Sequence, residues 1–390
     1  MNNYVYHNPG KIIFGKQTEQ HIGEEIAKYA SSCLIVLGGP FIKQNGLYDT
    51  VAASLQAAGV SYYDLDGIVP NPRLAQVYEG IELCRKHDIG FVLAIGGGSA
   101  IDTAKAVAAG VKAPDDIWSY FGTFTKFITD ALPSGVLLTL PATGSESSNC
   151  AVITNDESGL KRSLFSDAII PQFAILNPEM SYSLPAYQTA SGSADILAHL
   201  MEAYFSLTPN TDLTDRLLEG AMATVLHYAP LALEDPTNYD VRAELYQAAN
   251  ITNNGVLMVG RTGDWGSHNI EHEISGIYNI AHGAGLTIVF PAWMKYVWQK
   301  FRPNCFVKFF RRVFHVDFGE GMEDLTVSRG IAQLEQFYRS LGLPVRLHEA
   351  NIADDRLQEM ADNAMIGTPA VGMTFQLHAD DILQILTLAK

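Results

Sequence analysis

The chain has 390 residues, 47 % of them apolar and 17 % charged, with a formal net charge of −16. This length exceeds what one hydrophobic core usually fills, so two domains are expected, and the apolar share excludes a disordered chain. The acidic balance argues against nucleic acid or an anionic membrane as partner, because both reward clustered Lys and Arg.

In chain order, the opening MNNYVYHNPGKIIFG lacks the basic start and apolar core of a signal peptide. Its β-rich residues suit an edge strand able to pair across subunits. No apolar run approaches the roughly 18 residues of a membrane-spanning helix. Cys33, Cys84, Cys150 and Cys305 form no C-x-x-C pair, which fits reduced thiols and a cytoplasmic location. Residues 33–37 (CLIVL), 91–95 (FVLAI), 136–140 (VLLTL) and 173–176 (FAIL) read as buried strands, with helical patterns at 47–58 and 74–87 between them. Strands alternating with helices predict a parallel, Rossmann-like sheet in an α/β domain. From Pro185 onward the period of 3.6 residues dominates, which predicts an all-α second domain. The polar turn NPEMSYSLP places the boundary near residues 178–185, giving domains 1–180 and 181–390.

Three strand ends carry ligand chemistry. Gly96, Gly97 and Gly98 follow one strand and precede a helix that Ser99 can cap, so an anion can meet free backbone N–H groups there. The pattern is not G-x-G-x-x-G, and a tight turn without a ligand is the plain alternative. Thr143, Gly144 and Ser145 form a second turn after 136–140, and Gly38-Gly39 ends the CLIVL strand. Three such ends on one domain imply an extended ligand such as a dinucleotide.

The second domain carries a different signal. Asp195 and His199 stand at i and i+4 on one helix, with Glu202 further along. Downstream, HNIEHEISGIYNIAHG contains His268, His272 and His282, two of them again at i and i+4. Together these residues suit an O/N site for Fe²⁺ or Zn²⁺. A simple Asp195–His199 hydrogen bond is the plain reading of the first pair. Spacing does not separate His268 from His272 as ligand, and Glu202, Glu271 and Glu273 remain candidates beside the commoner solvated role.

In this order, GGGSAIDTAKA, LPATGSE, Asp195-x-x-x-His199 and GDWGSHNIEHEISGIYNIAHGAGL cover essentially the whole chain. The sequence resembles the iron-containing (group III) alcohol dehydrogenases, nearest their butanol dehydrogenase and aldehyde reductase branch. The resemblance implies a dehydroquinate-synthase-like architecture, with Asp195, His199, His268 and His282 holding one divalent metal, Fe²⁺ or Zn²⁺. It implies that His272 lies beside the nicotinamide as a proton relay. Gly97, Gly98, Ser99 and Asp102 would hold the pyrophosphate and ribose, and Thr139, Thr143, Ser145 and Lys161 further parts of the cofactor. Without the resemblance, Lys161 reads as a solvated surface lysine.

Gly38, Gly39 and Lys43 would face the end of the cofactor that distinguishes NADP from NAD. NADP is the implied cofactor and NAD the alternative, because Lys43 is kept while Phe41 replaces a hydroxyl. The implied reaction is hydride transfer between NAD(P)H and a small aliphatic aldehyde or alcohol of the butanol type, in a homodimer. The substrate pocket is expected between the domains, with Trp265 and Tyr204 as lining candidates. A polyol or glycerol dehydrogenase, or a non-catalytic nucleotide- and metal-binding protein, is the alternative. A lyase of the same fold would need basic residues for an anionic substrate, and only Arg261 lies near the metal segments.

Overall fold

The computed structural model describes residues 1–123 and 125–390. It divides into two compact units, one of His7–Ser183 with Ala249–Asn254, the other of Met1–Tyr6, Leu184–Ala248 and Gly255–Lys390.

The first unit is built on a parallel sheet of β1 (Lys11–Phe14), β2 (Ser32–Leu37), β3 (Ser61–Leu65), β4 (Phe91–Gly96), β5 (Ser134–Leu138) and β8 (Phe173–Leu176), in the order β1-β8-β5-β4-β2-β3. An antiparallel hairpin of β6 (Cys150–Asn155) and β7 (Leu160–Phe165) stands apart from it. The central strands read as unbroken apolar runs because helices cover both faces, so no position faces water. Every residue from Cys33 to Leu37 and from Phe91 to Ile95 is buried. The helices are α1 (Ile22–Ile26), α2 (Phe41–Gln44), α3 (Leu47–Ala57), α4 (Leu74–His87) and α5 (Gly98–Lys112).

One expectation needs correction here, and one alternative is removed. The strand expected at 136–140 runs two residues earlier, at Ser134–Leu138; Thr139 N donates a last ladder bond to the Gly96 carbonyl at 3.0 Å before the chain bends away. Lys161 is a buried residue of β7, and its ammonium donates to Asn71 Oδ1 at 2.9 Å. A solvated lysine is therefore excluded. β3 and the hairpin carried no clear sequence signal, since SYYDL is half-buried and polar at its start.

The second unit is helical: α6 (Ala186–Tyr204), α7 (Asp212–Glu234), α8 (Tyr239–Thr252), α9 (Gly266–Tyr278), α10 (His282–Phe301), α11 (Asn304–Val313), α12 (Glu323–Ser340), α13 (Leu357–Ala364) and α14 (Ala379–Leu388). The last residues of α8 fall in the sheet unit. There Asn250 donates to Glu146 and Ser147, and Asn253 to the Thr143 carbonyl. Helix α6 is buried on every side from Thr189 to Tyr204, the pattern of a central helix. It packs closely on α10, where a Cβ on Gly283 would lie 1.9 Å from the Ser191 carbonyl oxygen. Only glycine permits that approach.

Candidate active site

Sheet register aligns the three predicted strand ends. Leu37 of β2 pairs with Ile95 of β4, and Gly96 pairs with Leu138 of β5. Gly38 N donates to Ile95 O at 2.9 Å, so the turns after β2, β4 and β5 stand side by side at the carboxyl edge, where open α/β sheets bind nucleotides. The cap of α5 is Gly97, not Ser99 as expected, and no side chain caps the helix. Ser99 lies inside the first turn instead. The uncapped N–H groups and the helix dipole leave this end suited to an anion. Gly98 also leaves room for its neighbour: a Cβ there would meet Thr143 Cγ2 at 2.8 Å.

Below the turns a buried ion network holds their shape. Asp102 accepts from Ser145 Oγ at 2.6 Å and from Val152 N at 3.0 Å. Burial raises its pKa, with Lys105 opposing. Lys105 Nζ donates to Ser148 O at 2.8 Å, to Cys150 O at 3.0 Å and to Ser145 Oγ at 3.0 Å. Burial pushes this ammonium down to about 8, against the pull of Asp102. Sequence reading passed over Lys105, although its place on a helix otherwise lined with Ala and Val marks it as a core position. Thr143 Oγ1 accepts from Ser145 N at 3.1 Å and shapes the same turn. Thr139 is buried.

In the helical unit, α6 contributes Asp195, His199 and Glu202, α9 contributes His268, Glu271 and His272, and His282 opens α10. Asn279, in a left-handed conformation, ends α9 and lets the chain turn back so that His282 faces His268. Ligand atoms of Asp195, His268 and His282 lie within 4.8 Å of one another, and so do those of Glu271, His272 and His282. His282 Nε2 is 3.8 Å from Asp195 Oδ1. Two ligands of a tetrahedral ion stand about 3.4 Å apart, given bonds of about 2.1 Å.

His199 stands at the edge of this centre, its ring centroid 4.6 Å from that of His268. Its Nδ1 is 2.8 Å from the Asp195 carbonyl oxygen and 3.3 Å from Asp195 Oδ1. Burial, then the neighbouring His268, pushes His199 down to about 3, so the ring is neutral. His272 is buried beside His282, ring centroids 5.5 Å apart.

The carboxylates around these rings are not solvated, contrary to the commoner expectation. Glu202, Glu271 and Glu273 are all buried. Glu202 accepts from His268 Nδ1 at 2.9 Å, from Ser267 Oγ at 2.5 Å and from Trp265 N at 2.7 Å. Glu271 is hydrogen-bonded to His282 Nδ1. Each carboxylate accepts from Nδ1 and so favours the tautomer with its lone pair on Nε2, the arrangement found behind metal-binding histidines. Glu202 lies seven residues after Asp195, and Glu271 three after His268. Helical spacing is compatible with the ligand face for both, but does not by itself tell a buried carboxylate from a solvated one.

Asp264 was also missed. It accepts from Phe375 N at 2.6 Å, Thr374 N at 3.0 Å and Gly266 N at 3.1 Å. Burial, with the charge of Glu202, pushes it up to about 7. Trp265 packs its ring edge-on to His199 at 5.9 Å and to His268 at 5.4 Å. Tyr204 is fully buried with its hydroxyl on Glu219 Oε1 at 2.8 Å. It is a core residue, not a pocket wall.

A family model described as iron-containing alcohol dehydrogenase matches residues 9–178, and its partner, Fe-containing alcohol dehydrogenase family, C-terminal, matches residues 189–389. The chain belongs to the iron-containing alcohol dehydrogenase family. It is 44 % identical to the probable NADH-dependent butanol dehydrogenase 2 of Bacillus subtilis (strain 168), over 99 % of both chains. The NADPH-dependent aldehyde reductase YqhD of Escherichia coli (strain K12) is 35 % identical, over 90 % of this chain and 89 % of that one. The solved NADH-dependent butanol dehydrogenase A of Thermotoga maritima superposes with a TM-score of 0.94 at 40 % identity, covering 100 % of this chain and 99 % of that chain. This dehydrogenase is thus an oxidoreductase acting on CH–OH or aldehyde groups with a nicotinamide cofactor.

The family implies iron or a similar divalent ion, and the residues present fit one. His268 Nε2 is buried with no hydrogen-bond partner among the described residues. An orphaned imidazole nitrogen in a core costs free energy unless something completes it. Its mixed N/O surroundings suit Fe²⁺ or Zn²⁺.

Proposed function

We propose that this dehydrogenase interconverts a small aliphatic aldehyde and its primary alcohol, with butanal and butanol as representative substrates, and that NADH is its preferred cofactor. The observation that carries the reading is the orphaned Nε2 of His268, converging with Asp195 and His282 in a chain of this family. Asp195, His199, His268 and His282 would hold the metal. Bound there, the ion supplies Lewis acidity toward the substrate oxygen. The nicotinamide supplies the hydride.

The protein's own groups do the rest. Glu202 and Glu271 keep His268 and His282 in the tautomer that presents Nε2. Trp265 excludes water from one side of the imidazoles. His272 takes or returns the hydroxyl proton as the alcohol and aldehyde interconvert, the part of a general acid–base. Gly97, Gly98 and Ser99 carry the pyrophosphate at the start of α5, with Asp102, Thr139, Thr143, Ser145 and Lys161 shaping or lining the remainder of the cofactor cradle.

NADH is favoured for two reasons. The butanol dehydrogenases of Bacillus subtilis and Thermotoga maritima carry it in their names. Moreover Lys43, on which the NADP expectation leaned, is already held by two aspartates. The reading includes a homodimer in the cytoplasm, supported by the exposed Ile12 and Phe14 of the edge strand β1 and by four free cysteines.

The test is anaerobic reconstitution with Fe²⁺ or Zn²⁺, metal analysis, then the nicotinamide absorbance with butanal and each reduced cofactor. One metal per chain and oxidation of NADH is the expected result. A metal-loaded enzyme that oxidises neither cofactor with any aldehyde overturns the reading. Light scattering on the same sample checks the dimer.

A further inference from the structure

The parallel sheet sets the carboxyl ends of β3, β2, β4 and β5 in one row. A dinucleotide on this edge, its pyrophosphate at the glycine turn after β4, sends one nucleoside toward β2 and β3 and the other toward β5. On the β5 side the turn offers the hydroxyls of Thr143 and Ser145. On the other side a charged cluster stands at the end of the row. Lys43 Nζ lies 3.0 Å from Asp64 Oδ2 and 2.7 Å from Asp66 Oδ2. Tyr48 donates its hydroxyl to Asp64 Oδ2 at 2.8 Å, and Lys43 sits 5.0 Å over the Tyr48 ring.

A lone lysine at this edge would welcome a ribose 2′-phosphate. Here one cation faces two carboxylates, so its charge is spent and the cluster is net negative. A neutral 2′-hydroxyl can donate to such a carboxylate, whereas a phosphate of nearly two negative charges is repelled. Gly39, at φ +143°, carries no side chain to impose this choice from β2. The acid therefore has to come from the neighbouring strand.

We propose that Asp64 and Asp66, by occupying Lys43 and presenting net negative charge, make this dehydrogenase discriminate against NADPH in favour of NADH. The inference rests on the reading that the sheet unit holds a nicotinamide dinucleotide. The Asp64 and Asp66 side chains are 24 % and 59 % exposed, so the discrimination is open to screening and weakens as ionic strength rises.

The experiment measures the dissociation constants of NADH and NADPH by fluorescence titration of the full-length, metal-loaded enzyme, with kcat/KM for butanal as a second readout. The unaltered enzyme should bind NADH more tightly. Asp66→Asn should shift the NADPH-to-NADH ratio toward NADPH on the order of tenfold, and Asp64→Asn with Asp66→Asn further. Adding Lys43→Ala to the double variant should cancel the gain, because the freed ammonium is what takes the phosphate.

Equal or tighter NADPH binding by the unaltered enzyme overturns the proposal. So does an unchanged ratio in Asp66→Asn, whose exposed site leaves the fold intact. Binding without turnover would sink the hydride-transfer reading alone, and the ratio would still decide this one. Binding of neither cofactor overturns both.

Discussion

The two units use buried charge in opposite ways. In the sheet unit, Lys105 and Asp102 are buried but fully engaged with Ser145, Ser148, Cys150 and Val152. Their charges brace the turns, and in the proposed reading the pyrophosphate is left to glycine, hydroxyl and backbone groups. In the helical unit, the carboxylates are engaged, yet His268 Nε2 is left without a partner among the described residues. Burying a charge or a donor is expensive unless something offsets it. Where the offset is complete the group is a brace; where an imidazole nitrogen is left over beside an aspartate and a second histidine, a metal is called for.

Removal of a proposed ligand has the largest expected effect. His268→Ala should abolish stoichiometric metal and lower kcat/KM on the order of a thousandfold, about 4 kcal/mol of transition-state stabilisation. If bracing and binding are divided as argued, NADH affinity in this variant should be nearly unchanged. Metal analysis beside a cofactor titration checks both. Full metal content in His268→Ala would remove the centre from the argument.

Next in size, His272→Ala should retain its metal while kcat falls by about a hundredfold or more, the usual range for a proton-transferring group. Loss of the acidic or basic limb of the pH–rate profile would distinguish this role from a packing role. Loss of metal instead would move His272 into the ligand set, beside Glu271 and His282. Glu202→Gln should act between these two sites of effect. It leaves shape intact but weakens the hold on His268 Nδ1, so metal affinity should drop ten- to a hundredfold in a chelator competition.

The fold class was legible because CLIVL and FVLAI are apolar without alternation and are separated by helical patterns, which together suit doubly covered parallel strands. The glycine turns were legible because each ends such a run. The helix at 74–87 was read to the residue. Other features escaped for physical reasons. The hairpin β6–β7 is short and outside the main sheet, so its burial pattern is weak.

Ser99 looked like a cap by residue type, yet the glycine before it takes that place. The glutamates looked solvated because acidic residues usually are. Only the tertiary packing of α6 against α9 shows that Glu202 is inside. His268 and His272 share one helical face, and His282, placed by the turn at Asn279, stands near both of them.

In the sheet unit, Gly98→Ala tests the glycine turn. A Cβ 2.8 Å from Thr143 Cγ2 must shift the Thr143 side chain or the turn that carries it, so KM for NADH should rise severalfold to tenfold while metal content stays at the level of the unaltered enzyme. Normal cofactor affinity in this variant would mean that the glycine turn does not hold the pyrophosphate.

The smallest effect tests whether Lys105 is only a brace. Its folded pKa, pushed down to about 8 by burial, is below the ordinary 10.5. Between these values the unfolded chain binds the proton that the folded chain has released, so stability from this group rises with pH. Below about 8 both states are protonated and the contribution is constant. Chemical denaturation at pH 8 and at pH 10 should therefore show a gain from this group of up to about 1 kcal/mol per pH unit. Lys105→Met should be less stable throughout and should lose that slope, since it carries no titrating group. If the variant keeps the slope of the unaltered protein, the pH dependence belongs elsewhere, and Lys105 is not held at the cost that its burial implies.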